Sequence, residues 1–227
     1  MLSYRAFVIG IVIQISFGGF QSAMASTIVD QNFSSTPPSF FAALSLTGDT
    51  VFAQSFTVGI GGRLTGADLL AFDGTPGFGA GAPPVSAMTV QIRTLVAGLP
   101  TETVLASSTV PASSLQVKPN NQFTHVDFPS GVSVVPGQIL ALGITGAGVG
   151  WSGHVGSQAT YLGGRAFDRS HTGDPWQPIP DPGGREVDFL FRTYVDPTPV
   201  PETSTLLLLV VSASAILLRK LRYRQSV

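Results

Sequence analysis

Aromatic and charged side chains are concentrated in the segment from Trp151 to Arg192. Apolar ring faces stack on sugar rings, and carboxylates and guanidinium groups fix hydroxyls, so this mixture is typical of a carbohydrate-binding cleft. The predicted ligand-binding residues are Trp151, Tyr161 and Trp176. The alternative is that both tryptophans are core or loop-anchoring residues and that the charges are solvated.

Four aspartates are spaced through the same segment, namely Asp168, Asp174, Asp181 and Asp188. Carboxylate oxygens are the ligands that Ca²⁺ prefers in proteins. Their spacing matches no familiar calcium loop, and Asp-Pro pairs such as Asp174-Pro175 are equally typical of turns. Calcium is therefore retained as a candidate ion, with ordinary turn formation as the alternative, and no other cofactor is expected.

Signatures of catalysis are few. Gly150-Trp151-Ser152-Gly153-His154 lacks the glycine that a nucleophile elbow needs two residues after its serine. The three histidines are widely spaced, so no His-x-x-x-His zinc pair is present. His125 and Asp127 are predicted to lie on the same face of a strand. They could act as an acid–base pair, and the alternative is that they are simply two exposed polar residues. We predict a protein that is not an enzyme; the alternative is a polysaccharide hydrolase or lyase using carboxylates from the Asp168–Asp188 region.

The elements that would position these residues are β-strands. Met88, Val90 and Ile92 alternate with polar neighbours, which is the period-two pattern of a sheet with one buried face. Further strands are predicted over residues 50–58, 64–72, 103–110, 123–128, 138–144 and 187–194. Segments between them are rich in Gly and Pro, and none shows helical periodicity. The pattern predicts an all-β fold, an antiparallel β-sandwich of jelly-roll-like topology.

Several strand motifs carry a family resemblance. They are Ala53-Gln54-Ser55-Phe56-Thr57-Val58, Val90-Gln91-Ile92-Arg93, Thr103-Val104-Leu105-Ala106, the turn Pro136-Gly137-Gln138, and Asp188-Phe189-Leu190-Phe191-Arg192-Thr193-Tyr194-Val195. Together they resemble the choice-of-anchor domains, bacterial surface β-sandwich modules named for their varied C-terminal sorting tails. The resemblance implies an exported jelly-roll-like module and supplies no catalytic residues.

The N-terminal segment has the features of a secretory signal peptide. Arg5 precedes an apolar run from Ala6 to Phe20, and Ala23-Met24-Ala25 is a small-x-small cleavage site. We expect cleavage before Ser26. The predicted organisation is a signal peptide over 1–25, an exported β-sandwich domain over 26–196 and a sorting tail over 197–227.

The tail contains an uncharged run and a basic end. Residues 204–218 are predicted to form one transmembrane helix, and Arg219, Lys220, Arg222 and Arg224 follow it. This bias in basic residues places the C-terminus in the cytoplasm, and the long basic side chains can extend a short span by snorkelling. The alternative is an amphipathic or core helix, but the run has no polar face.

The motif before the helix is Val200-Pro201-Glu202-Thr203. The order of motif, apolar run and basic end resembles the PEP-CTERM sorting signal of Gram-negative producers of extracellular polysaccharide, although Thr203 stands where Pro is usual. The resemblance implies that an exosortase-type enzyme processes the tail. It further implies that the protein is held in the inner membrane and then reaches the cell surface or the extracellular matrix. An unprocessed single-pass membrane protein is the alternative.

Charge and cysteine content narrow the functions of the exported part. It carries seven Lys/Arg against twelve Asp/Glu, a poor composition for binding nucleic acid through phosphates. Cysteine is absent, so disulfides and thiolate metal sites are excluded. The expected function is structural or adhesive, with exopolysaccharide as a candidate partner.

Overall fold

Alternating apolar side chains form antiparallel strands along most of the described chain. The structure, a computed structural model, describes residues 26–34, 44–45, 50–73, 86–115, 122–146, 148–155, 161–171, 173–179 and 186–198, all within the compact unit Ala25–Val200. The predicted signal peptide, sorting motif, transmembrane helix and basic end lie outside the described residues, as does Asp181.

The described residues contain fifteen strands and one short 3-10 helix, Ala112–Ser114. The strands are β1 Ile28–Phe33, β2 Leu44–Ser45, β3 Val51–Thr57, β4 Gly62–Leu69, β5 Ala71–Asp73, β6 Met88–Val96, β7 Leu99–Val110, β8 Thr124–Val134, β9 Ile139–Thr145, β10 Val149–Trp151, β11 Gly153–Val155, β12 Ala166–Arg169, β13 Gln177–Pro178, β14 Val187–Phe189 and β15 Phe191–Pro197.

Two large sheets dominate the fold. A four-stranded sheet has the order β1-β15-β4-β8, and a six-stranded sheet has the order β13-β12-β3-β9-β6-β7. Smaller sheets, β2-β10-β5 and β11-β14, accompany them. Every described strand pair is antiparallel, which confirms the prediction of an all-β, antiparallel fold.

One apolar core lies between the two large sheets. Phe56 of β3 contacts Phe191 of β15, with ring centroids 6.0 Å apart. Met88, Val90 and Ile92 are fully buried, as their alternation predicts. Both sheets contribute residues to the same hydrophobic cluster, so the sheets face each other in a sandwich-like arrangement.

Two tight turns show how the sequence sets the strand connections. Ala97 and Gly98 join β6 to β7 and both have positive φ, the left-handed pair that a two-residue hairpin turn favours. Pro136-Gly137 joins β8 to β9, with Gly137 also at positive φ and the Gln138 amide donating to the Val135 carbonyl. The second turn is the one predicted from the Pro-Gly pair.

The two ends of the described unit meet on one sheet. In the antiparallel pairing of β1 with β15, Ile28 lies opposite Val195. Strand β15 is held on its other side by β4, where Pro197 lies opposite Gly62. The chain therefore enters and leaves the domain at the same end of the four-stranded sheet.

Candidate functional site

A group of polar residues covers the outer face of the four-stranded sheet. These residues alternate along their strands with core residues such as Ala67, Phe191 and Val126 and therefore project away from the core. Cross-strand pairing places Arg192, Asp68 and His125 side by side on β15, β4 and β8. Together with Tyr194 we call them the Asp68 cluster.

Asp68 is the centre of this cluster. Its side chain is only 9% exposed. The carboxylate lies 2.7 Å from His125 Nδ1, accepts a hydrogen bond of 2.6 Å from the Tyr194 hydroxyl and accepts a longer one of 3.4 Å from Arg192 Nη1. One buried carboxylate thus joins three neighbouring strands.

The imidazole of His125 lies between two carboxylates. Its Nδ1 faces Asp68, and its Nε2 lies 3.2 Å from Asp127 Oδ1. Partial burial disfavours the charged ring, but hydrogen bonds to Asp68 and then Asp127 outweigh it and raise the pKa of His125. Burial, followed by the nearby Asp68 carboxylate, also raises the pKa of Tyr194. The arrangement orients an imidazole that can hold or transfer a proton at the surface.

An open groove of about 430 Å³ lies beside this cluster. Gly66 lies opposite Tyr194 on one side and Asp127 on the other, and the imidazole of His125 lies over it and contacts both residues. A Cβ at position 66 would lie 3.1 Å from the Val126 carbonyl oxygen and 3.3 Å from His125 Cε1. Glycine at this position therefore leaves room for the imidazole of His125.

The sequence predicted part of this site. It placed His125 and Asp127 on one strand face, and the structure brings them together. It missed Asp68 and Tyr194, whose outward positions on β4 and β15 were the available signal. The link between them depends on strand register between segments far apart in the chain, which the sequence pattern leaves open.

Trp151 is part of the core. Its side chain is fully buried and stacks on Phe189, with ring centroids 4.5 Å apart and 9° between the planes. The indole N–H donates to the Leu190 carbonyl at 3.0 Å. Of the two interpretations of Trp151 that the sequence allows, the structure therefore agrees with a core residue and not with an open ring face for a ligand.

Trp176 lies on the outer face of the six-stranded sheet but is only 5% exposed. It packs with Val51, Ala53 and Phe167, and the guanidinium of Arg169 lies 4.6 Å from its ring centroid. An open ring face is therefore absent here too. Arginine occupies the face by a cation–π contact.

A second ion-pair group surrounds Trp176. Arg169 binds both carboxylate oxygens of Glu102, and Arg93 donates to Glu102 Oε2 at 3.4 Å. The side chains of Arg93 and Arg169 are 7% and 1% exposed, whereas that of Glu102 is 64% exposed. We call Arg93, Glu102, Arg169 and Trp176 the arginine cluster. The Arg169 hydrogen bond lowers the pKa of Glu102, although partial burial opposes it.

Tyr161 is partly buried and packs against the edge of the core that contains Phe33 and Phe191. Its ring contacts Phe33 and Phe191, and its hydroxyl donates to Gln31 Oε1 at 3.0 Å. Burial raises its pKa strongly. The structure therefore does not bring Trp151, Tyr161 and Trp176 together into one cleft.

Asp188 is buried beside Gln54, which donates to its Oδ1 at 3.2 Å, and beside the Tyr161 amide, which donates to its Oδ2 at 3.1 Å. His154 lies opposite Asp188 in the β11–β14 pair. Burial raises the pKa of Asp188 to about 6, because the two hydrogen bonds only partly offset the loss of hydration.

The other calcium candidates are separate from Asp188. Asp168 lies on β12, where burial raises its pKa. Asp174 is in a turn 3.2 Å from His171 Nδ1. Within the described ranges, no three His, Asp or Glu side chains lie close enough together to hold a metal ion. Calcium binding stays a prediction, with Asp181 outside the described residues.

Comparison with models of known protein families gave no match, and no curated protein sequence matches the chain. Among the residues that the structure describes, no helix has the length and apolar character needed to cross a membrane; the predicted span at 204–218 is not among them.

Proposed function

We propose that this protein is an exported, structural or adhesive β-sandwich domain that is delivered to the cell surface or the extracellular matrix by its C-terminal tail. It does not act as an enzyme in this proposal. The observation that carries the proposal is the position of β15, the last strand before the tail, between β1 and β4 of one sheet.

Strand β15, which leads into the tail, is hydrogen-bonded to a neighbouring strand on each side. It pairs with β1 from Phe191 to Val195 and with β4 from Phe191 to Pro197. Because it is paired on both sides, a pull along it from the tail loads rows of backbone hydrogen bonds together when the domain is held at its opposite end. This suits a domain that links an anchored tail to a matrix.

The strand pairing supports a jelly roll. Eight strands pair as a long hairpin folded over on itself: β1 with β15, β3 with β9, β4 with β8 and β6 with β7. Successive pairs alternate between the two large sheets, which is the arrangement expected of two Greek keys in a jelly roll. The topology agrees with the fold that the choice-of-anchor resemblance implies.

The C-terminal tail has the features of a sorting signal. Val200-Pro201-Glu202-Thr203, the apolar run 204–218 and the basic residues Arg219 to Arg224 follow the domain in the order of a PEP-CTERM signal. We infer that an exosortase-type enzyme processes this tail at the inner membrane. The exported domain is then retained with exopolysaccharide.

Cell fractionation tests this proposal. The full chain and a variant ending at residue 199 are produced in the native cells, and each is quantified in inner-membrane, periplasmic, matrix and medium fractions. We expect the full chain in the matrix fraction and the shortened chain in the periplasm. Retention of the intact full chain in the inner membrane would contradict the proposal and favour a plain single-pass membrane protein.

Turnover separates the structural role from the enzymatic alternative. The matrix-associated protein is incubated with the exopolysaccharide of the same cells, and new reducing ends and unsaturated sugar ends are measured over time. We expect neither product above the level of a heat-denatured control. Sustained release of either product would replace the structural role with that of a hydrolase or a lyase.

A further inference from the structure

The arginine cluster has more hydrogen-bond donors than acceptors. Two guanidinium groups share the one carboxylate of Glu102, so the cluster carries a net positive charge. Among the described residues, the Nε atom of Arg169 and the indole N–H of Trp176 have no hydrogen-bond partner. Both side chains are almost fully buried. Because a buried donor without an acceptor is costly, a further acceptor would stabilise the cluster.

Glu102 is the member of the cluster that can turn away into water. Its side chain is 64% exposed on β7, the last strand of the six-stranded sheet. Arg93 keeps two other acceptors, the Thr101 carbonyl at 2.8 Å and Gln91 Oε1 at 2.6 Å. Arg169 stays stacked on the ring of Trp176. The carboxylate of a ligand can therefore replace that of Glu102 on guanidinium groups that are already held in position.

The sheet surface beside the cluster is polar and uncharged. On the hairpin of β6 and β7, Thr89 pairs with Thr109 and Gln91 pairs with Ser107. These side chains share the outer face with Arg93, because they alternate with buried residues. Hydroxyl and amide groups donate and accept hydrogen bonds, as the hydroxyl groups of sugars do. The rise from Thr89 to Arg93 is about 13 Å, which is longer than one sugar ring. A sugar chain can therefore lie along the hairpin with a carboxylate at the cluster.

We propose that the arginine cluster binds a carboxylate of an acidic polysaccharide, and that Glu102 occupies the site until the ligand displaces its side chain. This rests on the proposed adhesive function and names the ligand class and its site. Only molecules in which Glu102 has turned away are competent to bind. The apparent affinity of the protein is therefore lower than the intrinsic affinity of the guanidinium groups.

Removal of Glu102 should consequently strengthen binding. Binding of the mature protein to immobilised polygalacturonate is measured by biolayer interferometry, with dextran as the uncharged polymer and polyglutamate as an acidic polymer without sugars. We expect the parent protein to bind polygalacturonate and the Glu102→Ala variant to bind it about tenfold more tightly, because the competing side chain is gone. Neither protein should bind dextran, and polyglutamate should bind more weakly than polygalacturonate.

Asp127→Ala is the matched control for charge. It also removes one exposed carboxylate, but from the four-stranded sheet, and should bind like the parent protein. A double variant, Arg169→Met with Glu102→Ala, removes the guanidinium as well and should bind about tenfold more weakly than Glu102→Ala. Circular dichroism checks the fold of each variant. Glu102→Gln, which removes the charge and keeps the length of the side chain, gives the same readout if Glu102→Ala does not fold.

Free galacturonate provides a second measurement. A ligand that binds only the folded protein stabilises it, so galacturonate should raise the urea midpoint of the Glu102→Ala variant. Sodium chloride at the same ionic strength should not raise it. Galacturonate should also leave the midpoint of the double variant unchanged.

Four results would overturn the inference. They are no binding of polygalacturonate by the parent protein, no gain in affinity in the Glu102→Ala variant, an equal gain in the Asp127→Ala variant, and binding of polyglutamate as tight as that of polygalacturonate. The third would reduce the effect to net charge, and the fourth would assign the wrong ligand class. Each leaves the adhesive function intact, since that function fails only if fractionation finds no protein in the matrix.

Discussion

On the outer face of the four-stranded sheet, one buried carboxylate gathers donors that keep contact with water. On the outer face of the six-stranded sheet, two buried guanidinium groups share one exposed carboxylate. Asp68 is 9% exposed with His125 at 52%, whereas Arg169 is 1% exposed with Glu102 at 64%. The two faces hold charge across strands in opposite ways.

The two faces differ in whether the remaining charged side chains can be hydrated after the shared carboxylate is removed. Donors around Asp68 can turn to water, because His125 and Arg192 are partly exposed. Arg169 cannot, since its side chain is buried against Trp176. A buried charge without its partner is far more costly than an exposed donor without its acceptor. Loss of a partner should therefore destabilise the arginine cluster more than the Asp68 cluster.

Removal of Glu102 gives the largest expected effect. In the Glu102→Ala variant Arg169 loses both hydrogen bonds to the carboxylate. We therefore expect a loss of about 3 kcal/mol in the free energy of unfolding, measured by urea denaturation. A double variant, Arg169→Met with Glu102→Ala, should recover much of the loss because it removes the buried charge. Equal losses in the single and double variants would contradict the account.

Asp188 offers a third case for comparison with the Asp68 and arginine clusters. Its carboxylate is buried and accepts hydrogen bonds from amide groups rather than from a cation. Its pKa of about 6 lies above the ordinary value, so the folded state holds the proton more tightly than the unfolded state. The contribution of Asp188 to stability should therefore be complete below about pH 4 and be lost as the pH rises through about 6, by at most about 3 kcal/mol. In the Asp188→Asn variant this decline should disappear from denaturation curves. Parallel pH profiles for the two proteins would contradict the assignment.

Removal of Asp68 should cost less than removal of Glu102. The Asp68→Ala variant leaves His125, Arg192 and Tyr194 without their shared acceptor. These donors can reach water, so we expect a loss of about 2 kcal/mol in the free energy of unfolding. Asp127→Ala is the control on the same imidazole and should leave stability almost unchanged, since an exposed ion pair contributes little. A larger loss for Asp68→Ala than for Glu102→Ala would reverse the comparison.

The smallest effect is the pH response of His125. The raised pKa of His125 means that folding favours the charged ring. Its contribution to stability is therefore complete below the ordinary histidine pKa of about 6.5 and is lost as the pH rises through the higher folded value. NMR titration should show a lower pKa for His125 in the Asp68→Ala variant. An unchanged pKa in that variant would mean that Asp68 does not hold the ring.

The sequence predicted correctly those features that follow from the alternation of apolar and polar residues within one strand or from the residue types of one turn. Alternation along β6 and β8 predicted buried Met88 and Val126 and the shared face of His125 and Asp127. The Pro136-Gly137 turn followed from its residue types. These features depend on neighbours within a few positions, so a single segment specifies them.

Contacts between distant strands could not be predicted in the same way. Asp68 meets His125 only because β4 and β8 pair in a particular register, and Trp176 is covered only because Arg169 of β12 lies over it. Register is set by the whole sheet, and a shift of one residue would reverse the faces. Residue type alone left open whether the two tryptophans are exposed or packed, and only their packing partners show that they are packed.

The most direct test of the central claim, an exported domain delivered by a processed tail, is the intact mass of the mature protein recovered from native cells and their medium. The account predicts a species that begins at Ser26 and ends near Pro201. A membrane-bound species that still carries Arg219 to Val227 would contradict it and leave a β-sandwich domain anchored by an unprocessed helix.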